Sequence, residues 1–260
     1  MHRTIGEAPK GEAIAALKLY IGFCLKANYG EKDGLPKPGC VRISLSQLEQ
    51  LADLSRPMVV AGLKLLKKWS MVESLGGRPA IYHIVEYETT RNWTKLTNRS
   101  LYGSYSFSKK ERDRMLGLEH MSNRSTTTLH ALQLYLYLAS MRNQHTNKAQ
   151  VGYNVMCRVL EIQRNWLSAA ISMLSTDLIT VRTAPTVNYE ENKKHSTNHY
   201  WLRGSLHDPY VRSLEEFVKP SDDDDDEGDD DIHSRFYQVD EGTNNSDDDD
   251  DDNDDDPIPF

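Results

Sequence analysis

One block of this chain occurs twice. Residues 43–66 align with residues 151–174 without a gap at a spacing of 108, pairing Leu48 with Met156, Leu51 with Val159, Leu54 with Ile162, Ala61 with Ala169, Leu63 with Ile171 and Leu66 with Leu174. A second match precedes it: Ala16-Leu17-Lys18-Leu19-Tyr20-Ile21 returns as Ala131-Leu132-Gln133-Leu134-Tyr135-Leu136 at a spacing of 115. Self-similarity at a fixed spacing constrains architecture more than any composition, because one supersecondary unit must satisfy both stretches. The body of the chain is therefore one fold used twice.

Each copy reads as helix, short strand, helix, turn, helix and two-stranded hairpin. In the first copy an amphipathic run over residues 13–28 predicts a helix. A strand follows at 41–43, then a helix capped by Ser46 and running to Asp53. Pro57, after Arg56, is placed at the first position of a further helix reaching Trp69, since proline there gives up only an amide that has no partner. Residues 71–75 and 81–87 are β-rich and flank Gly76-Gly77-Arg78-Pro79, a hairpin loop. The second copy repeats this with helices at 154–160 and 164–174 and strands at 178–183 and 199–202.

This order resembles the winged helix, a helix-turn-helix followed by a β-wing, in tandem across about residues 10–205. The expected fold class is α+β, mainly α with small β-wings: two tandem winged-helix domains and a disordered acidic tail. The expected boundaries are 1–90 and 126–205 for the domains, 91–125 for a basic connector, 206–219 for a short linker or helix, and 220–260 for the tail. The resemblance implies a third helix in the major groove, braced on phosphates by its neighbours. On the first such helix Val59, Leu63 and Leu66 point inward, leaving Arg56, Val60, Lys64, Lys67 and Lys68 outward. Those lysines suit phosphate contact and equally suit the solvated carbonyl end of a helix. On the second, Leu167, Ile171 and Leu174 point inward and Arg164, Asn165, Ser168 and Ser172 outward. Arg56 and Arg164 align, each at a helix start where an arginine can read guanine. Arg78 in the first wing and Lys193 and Lys194 in the second add charge for phosphates.

The charge distribution supports a polyanionic partner. The whole chain carries −8, but residues 1–219 hold 30 bases against 19 acids, a net +11, while residues 220–260 hold 20 acids against Arg235 alone, a net −19. A positive body releases counterions when it neutralises phosphates. The connector 91–124 holds eight bases and three acids with Trp93, Tyr102, Tyr105 and Phe107 interleaved. These aromatics either stack on unpaired bases or dock the connector on the domains. Cys24, Cys40 and Cys157 form no CxxC pair, so neither a disulfide framework nor a metal site is expected, in keeping with a cytoplasmic protein. No phosphate loop, nucleophile motif or metal-ligand cluster is present, so the expectation is no enzyme and no cofactor. No stretch suits a signal peptide or a membrane span.

The tail consists of Asp blocks with Gly, Asn and Ser, a composition that repels itself and cannot bury a core. It closes on Asp254-Asp255-Asp256-Pro257-Ile258-Pro259-Phe260, which resembles the acidic, Ile-Pro-Phe-ending tip of bacterial single-stranded DNA-binding proteins. That resemblance implies recruitment of host replication and repair proteins, with Phe260 in an apolar pocket, its carboxylate and Ile258-Pro259 beside it, and Asp254, Asp255 and Asp256 on a basic rim. Pro257 departs from the pattern by separating the aspartates from Ile258. The tandem winged helices resemble plasmid and phage replication initiators, implying double-stranded DNA with repeated origin sites, a homodimer form, and a place on the bacterial nucleoid or plasmid. The competing expectations are a winged-helix transcriptional regulator and a replication adaptor that does not bind DNA.

Overall fold

The computed structural model of the chain describes residues 8–28, 35–87, 96–102, 113–143, 146–186 and 195–204. The connector aromatics Trp93, Tyr105 and Phe107, the wing lysines Lys193 and Lys194, the stretch 206–219 and the acidic tail with its tip lie outside these residues. The chain divides into a first unit, Met1–Val218, which holds all of the described residues, and a second, Lys219–Phe260.

Within the first unit the order is α1 (Lys10–Lys26), β1 (Cys40–Arg42), α2 (Leu45–Ala52), α3 (Arg56–Lys68), β2 (Val72–Gly76), β3 (Ile81–Ile84), α4 (Asn98–Tyr102), a 3-10 turn (Leu116–Leu118), α5 (Thr126–Met141), β4 (Lys148–Gln150), α6 (Tyr153–Leu160), α7 (Arg164–Asp177), β5 (Ile179–Thr186) and β6 (His195–Leu202). The class is α+β, with two small antiparallel sheets ordered β1-β3-β2 and β4-β6-β5. The repeat reaches into the backbone. β1, α2 and α3 begin 108 residues before β4, α6 and α7. Both short helices end on a residue in the left-handed conformation, Asp53 (φ 50°) and Glu161 (φ 54°), whose amides donate to Glu49 and Cys157. Tyr82 pairs across from Val41, and Tyr200 across from Ala149, so each sheet buries a tyrosine at the same register point.

Several sequence expectations shift. α2 is capped by Ser44, not Ser46: the Ser44 hydroxyl accepts from the Gln47 amide at 3.2 Å while the Gln47 side chain accepts from the Ser44 amide at 2.8 Å. This reciprocal pair satisfies two orphan amides at once. Pro57 is the second residue of α3, because Arg56 is already helical behind the cap Ser55. The second hairpin has longer strands than the pattern indicated, and the short strand expected in each copy is β4 in the second.

α1 and α5 are the larger departure. Both read as amphipathic, yet α1 buries residues on nearly every side, among them Ile14, Leu17, Leu19, Ile21 and Phe23, and α5 buries Leu132, Leu134, Tyr135 and Leu138. A helix that is apolar all round belongs in an interior. α1 packs on α3 and α5 on α7, and α1 and α5 also pack on each other. Their starts meet where Lys10 Nζ donates to Thr126 Oγ1 at 3.2 Å. The buried apolar residues of both copies accordingly form one continuous core. Part of the connector belongs to it: Leu101, Met115, Leu118 and Met121 are buried, and Tyr102 packs at the edge.

Candidate nucleic-acid interface

α3 and α7 hold the residues the sequence singled out. On α3 the inward row Val59, Leu63 and Leu66 is buried, joined by Gly62 and Leu65. On α7 Leu167 and Leu174 are buried with Ala170, while Ile171 is half-buried. The opposite faces are exposed: Arg56, Val60, Lys64, Lys67 and Lys68 on α3, and Arg164, Asn165, Ser168 and Ser172 on α7. Helical spacing places Arg56, Val60, Lys64 and Lys68 in one row, and Arg164, Ser168 and Ser172 in the equivalent row. From Arg56 to Lys68 the row is about 18 Å long at 1.5 Å per residue, enough to cross a groove about 12 Å wide and meet both walls.

The two arginines are the first helical residues of α3 and α7, and neither helix has an acidic residue in its first turn. Each is steadied differently. The Arg56 side chain is 63% exposed, and its Nη1 lies 3.8 Å from Glu49 Oε1, too long for a hydrogen bond. Such an exposed pair is worth less than ~1 kcal/mol, so a better anion displaces Glu49 at small cost. Arg164 stacks its guanidinium 5.0 Å above the Tyr153 ring, and the Tyr153 hydroxyl donates to the Arg164 carbonyl at 3.0 Å. A guanidinium whose face rests on a ring keeps its N–H donors for bidentate contact with a base or phosphate. Tyr153 was not singled out in sequence. Its place three residues past the short strand, at the start of α6, was the available signal.

The other named residues divide. Lys67 Nζ sits 5.9 Å over the Tyr82 ring, which ties the carbonyl end of α3 to the sheet. Arg78 stands exposed in the turn between β2 and β3, where Gly76 and Gly77 take φ of 86° and 95° that residues with a Cβ rarely adopt. Asn165 spends its carbonyl on the helix itself, accepting from the Trp166 amide at 2.9 Å, so reading adenine with both amide atoms requires it to turn away. The carbonyl end of α7 is closed by Arg203, whose Nη1 and Nη2 donate to the Thr176 and Ser175 carbonyls at 2.6 and 2.8 Å. The positions equivalent to Lys67 and Lys68 are thus Ser175 and Thr176, carrying no charge of their own.

Burial holds two interior groups away from reactivity at neutral pH. Burial pushes the Cys24 thiol and the Tyr135 hydroxyl each up to about 12. Both stay protonated and non-nucleophilic. Among the described residues no group of three His, Cys, Asp or Glu side chains is placed to hold a metal, and no helix is long and apolar enough to cross a membrane. No protein-family model matches the chain, and no curated protein or solved structure matches it.

Proposed function

We propose that the chain is a DNA-binding replication initiator or accessory protein of a bacterial plasmid, phage or other mobile element, its body a tandem pair of winged helices. The observation that carries this reading is the twin placement of Arg56 and Arg164 at the exposed starts of equivalent helices, with no acid in either first turn. The helix dipole opposes a cation there, so the arrangement adds nothing to helix stability and concentrates positive potential where a helix-turn-helix meets base edges. Lys64, Lys67 and Lys68 extend that potential along α3 to the phosphates, whereas Ser172, Ser175 and Thr176 stand at the equivalent points of α7. The first copy accordingly supplies more of the sequence-independent affinity, and both copies supply an arginine for readout.

Replication is favoured over transcription by the tail, whose last residues Ile258-Pro259-Phe260 follow Asp254, Asp255 and Asp256. The chain in this reading binds double-stranded origin DNA with its body and recruits host proteins that bind single-stranded DNA-binding protein tails. Footprinting on the element's own DNA, combined with a replication assay of that origin, tests it. Protection of repeated sites together with loss of replication in an Arg56→Ala, Arg164→Ala double variant is expected. Protection of a promoter with replication intact supports the regulator instead, and replication dependence without any footprint supports the adaptor. Capture of host proteins by the full chain, lost on deletion of Phe260 while the footprint persists, is the expected behaviour of the tip.

A further inference from the structure

The two sheets share one strand order and differ on the side turned away from the core. In the second sheet Ala149, Ile179, Tyr200 and Leu202 are buried and define the inner face. Side chains alternate along a strand, and residues directly across an antiparallel pair share a face. The outer face is therefore two rows across β4, β6 and β5: Lys148, Trp201 and Thr180 in one, Gln150, His199 and Arg182 in the next. The His199 and Trp201 rings meet with centroids 5.9 Å apart and planes at 80°. Both rings and Lys148 are half-buried, while Gln150 and Arg182 are exposed. Among the described residues neither Lys148 nor Arg182 is in an ion pair. Burial, then the charge of Lys148, holds the His199 ring below its ordinary value, so at neutral pH it is an uncharged ring.

The same face of the first sheet is closed by an acid. With Tyr82 and Tyr200 as counterparts, the register makes Cys40, Glu73 and His83 the counterparts of Lys148, Thr180 and Trp201. Cys40 and His83 are buried, and His83 Nδ1 and Lys37 Nζ lie 2.8 and 2.9 Å from Glu73 Oε1. The second copy thus carries threonine for that acid, lysine for a buried cysteine, and tryptophan for a histidine held by the acid. All three differences suit a ligand that is both planar and anionic. We infer that this outer face, Trp201 and His199 with Lys148 and Arg182 beside them, binds a strand of unpaired nucleotides. Aromatic rings take bases by stacking whatever the sequence, and the cations take the phosphates between them. A duplex offers base edges in its grooves and no open base face. Two rings at 80° also cannot both lie parallel to bases that are stacked on one another, whereas splayed bases meet each ring in its own plane. The site lies on β4, β5 and β6 rather than on α3 and α7, so it goes beyond the duplex reading and does not depend on it.

Fluorescence anisotropy of labelled oligo(dT) and oligo(U), each of about 20 nucleotides, titrated with the full chain at several salt concentrations, tests this. The wild type should bind. Trp201→Ala should weaken that binding about tenfold, the loss of one stacked base, with the salt slope unchanged. Trp201→Phe should recover most of it, since a phenyl ring also stacks. Arg182→Ala, at an exposed position, should lower the slope by about 0.7, the single-strand value for one phosphate contact. Random duplex should bind Trp201→Ala as it binds the wild type, and an Arg56→Ala, Arg164→Ala double variant should keep its oligonucleotide affinity, so failure here and failure of the duplex reading are told apart. Binding of either oligonucleotide bears out the site, and the tighter of the two names the strand. No oligonucleotide binding by the wild type, or a loss in Trp201→Ala that is equal for oligonucleotide and duplex, overturns the assignment. An affinity unmoved by Trp201→Ala while Arg182→Ala still lowers the slope overturns it as well, and makes the face a contact for any polyanion, an acidic peptide included.

Discussion

Arg56 and Lys67 lie on one helix and should answer differently when removed. In the proposed reading Arg56→Ala or Arg164→Ala takes away a side chain that reads a base edge, so the cost, about 1–3 kcal/mol, should fall on the preferred site and spare random DNA. Lys67→Ala should weaken all sequences alike and lower the salt slope by about 1. Its contact with the Tyr82 ring adds a small loss of stability, so binding should be measured well below the melting temperature. Titrations of specific and random duplexes at several salt concentrations separate these behaviours, and identical losses for Arg56 and Lys67 would remove Arg56 from readout. Lys18 is a different kind of residue. It is 2% exposed at the junction of the two copies, with Nζ donating to the Met121 carbonyl at 2.9 Å, and burial lowers its pKa from 10.5 to about 8 while the charge of Asp53 offsets part of that. A folded pKa below the unfolded one means that the unfolded chain holds more protons between about pH 8 and 10.5, so this residue's contribution to stability rises with pH across that window. Relative to Lys18→Met, the wild type should gain on the order of 2–3 kcal/mol between pH 7 and pH 10, read by urea unfolding of both proteins at each pH. A difference independent of pH would place the ammonium in contact with water.

At the level of elements, the contact of α1 with α3 is set by a glycine. A Cβ on Gly62 would lie 2.9 Å from Leu19 Cδ1, 3.0 Å from the Ala16 nitrogen and 3.1 Å from the Ala15 carbonyl carbon. The last two are backbone and cannot yield. Gly62→Ala should therefore destabilise by about 1–2 kcal/mol, the overpacking cost exceeding the ~1 kcal/mol that alanine brings to a helix. The equivalent residue of α7 is Ala170, fully buried, and Ala170→Gly should also destabilise, through lost packing and helix propensity. Thermal melts of the two variants decide it, and a more stable Gly62→Ala protein would mean that α1 and α3 can separate. The repeat made the element order, the inward rows of α3 and α7 and the paired arginines legible, because spacing and apolar period survive in sequence. The burial of α1 and α5 was not legible, since an apolar helix carries no mark of which neighbours surround it. Neither was the Ser44 cap, because Ser44 with Gln47 and Ser46 with Glu49 fit the same spacing and only packing chooses between them. The exposure of Val159, 39% against 2% for Leu51, was hidden for a related reason: its partner Leu51 is an apolar residue in the same register, and what distinguishes the two is the Met115 stretch, whose amide bonds the Leu51 carbonyl.

The whole molecule joins a body of net +11 to a tail of net −19, and in the proposed reading the tail competes with DNA for the basic residues of the body. In that reading the 20 acids of the tail act from the same chain, at a high effective concentration. DNA has to displace them. Removing residues 219–260 should therefore tighten binding to random duplex DNA at low salt. Because free charges are screened beyond about 10 Å at 0.1 M salt and about 3 Å at 1 M, the advantage should shrink steadily as salt rises. Fluorescence anisotropy of the full and shortened chains from 20 to about 300 mM salt gives the answer. The two lines of log affinity against log salt should converge, with the shortened chain the steeper because it no longer supplies its own polyanion. Parallel lines at equal affinity would show that the acid blocks do not reach the binding face, and the tail would then act on host proteins alone.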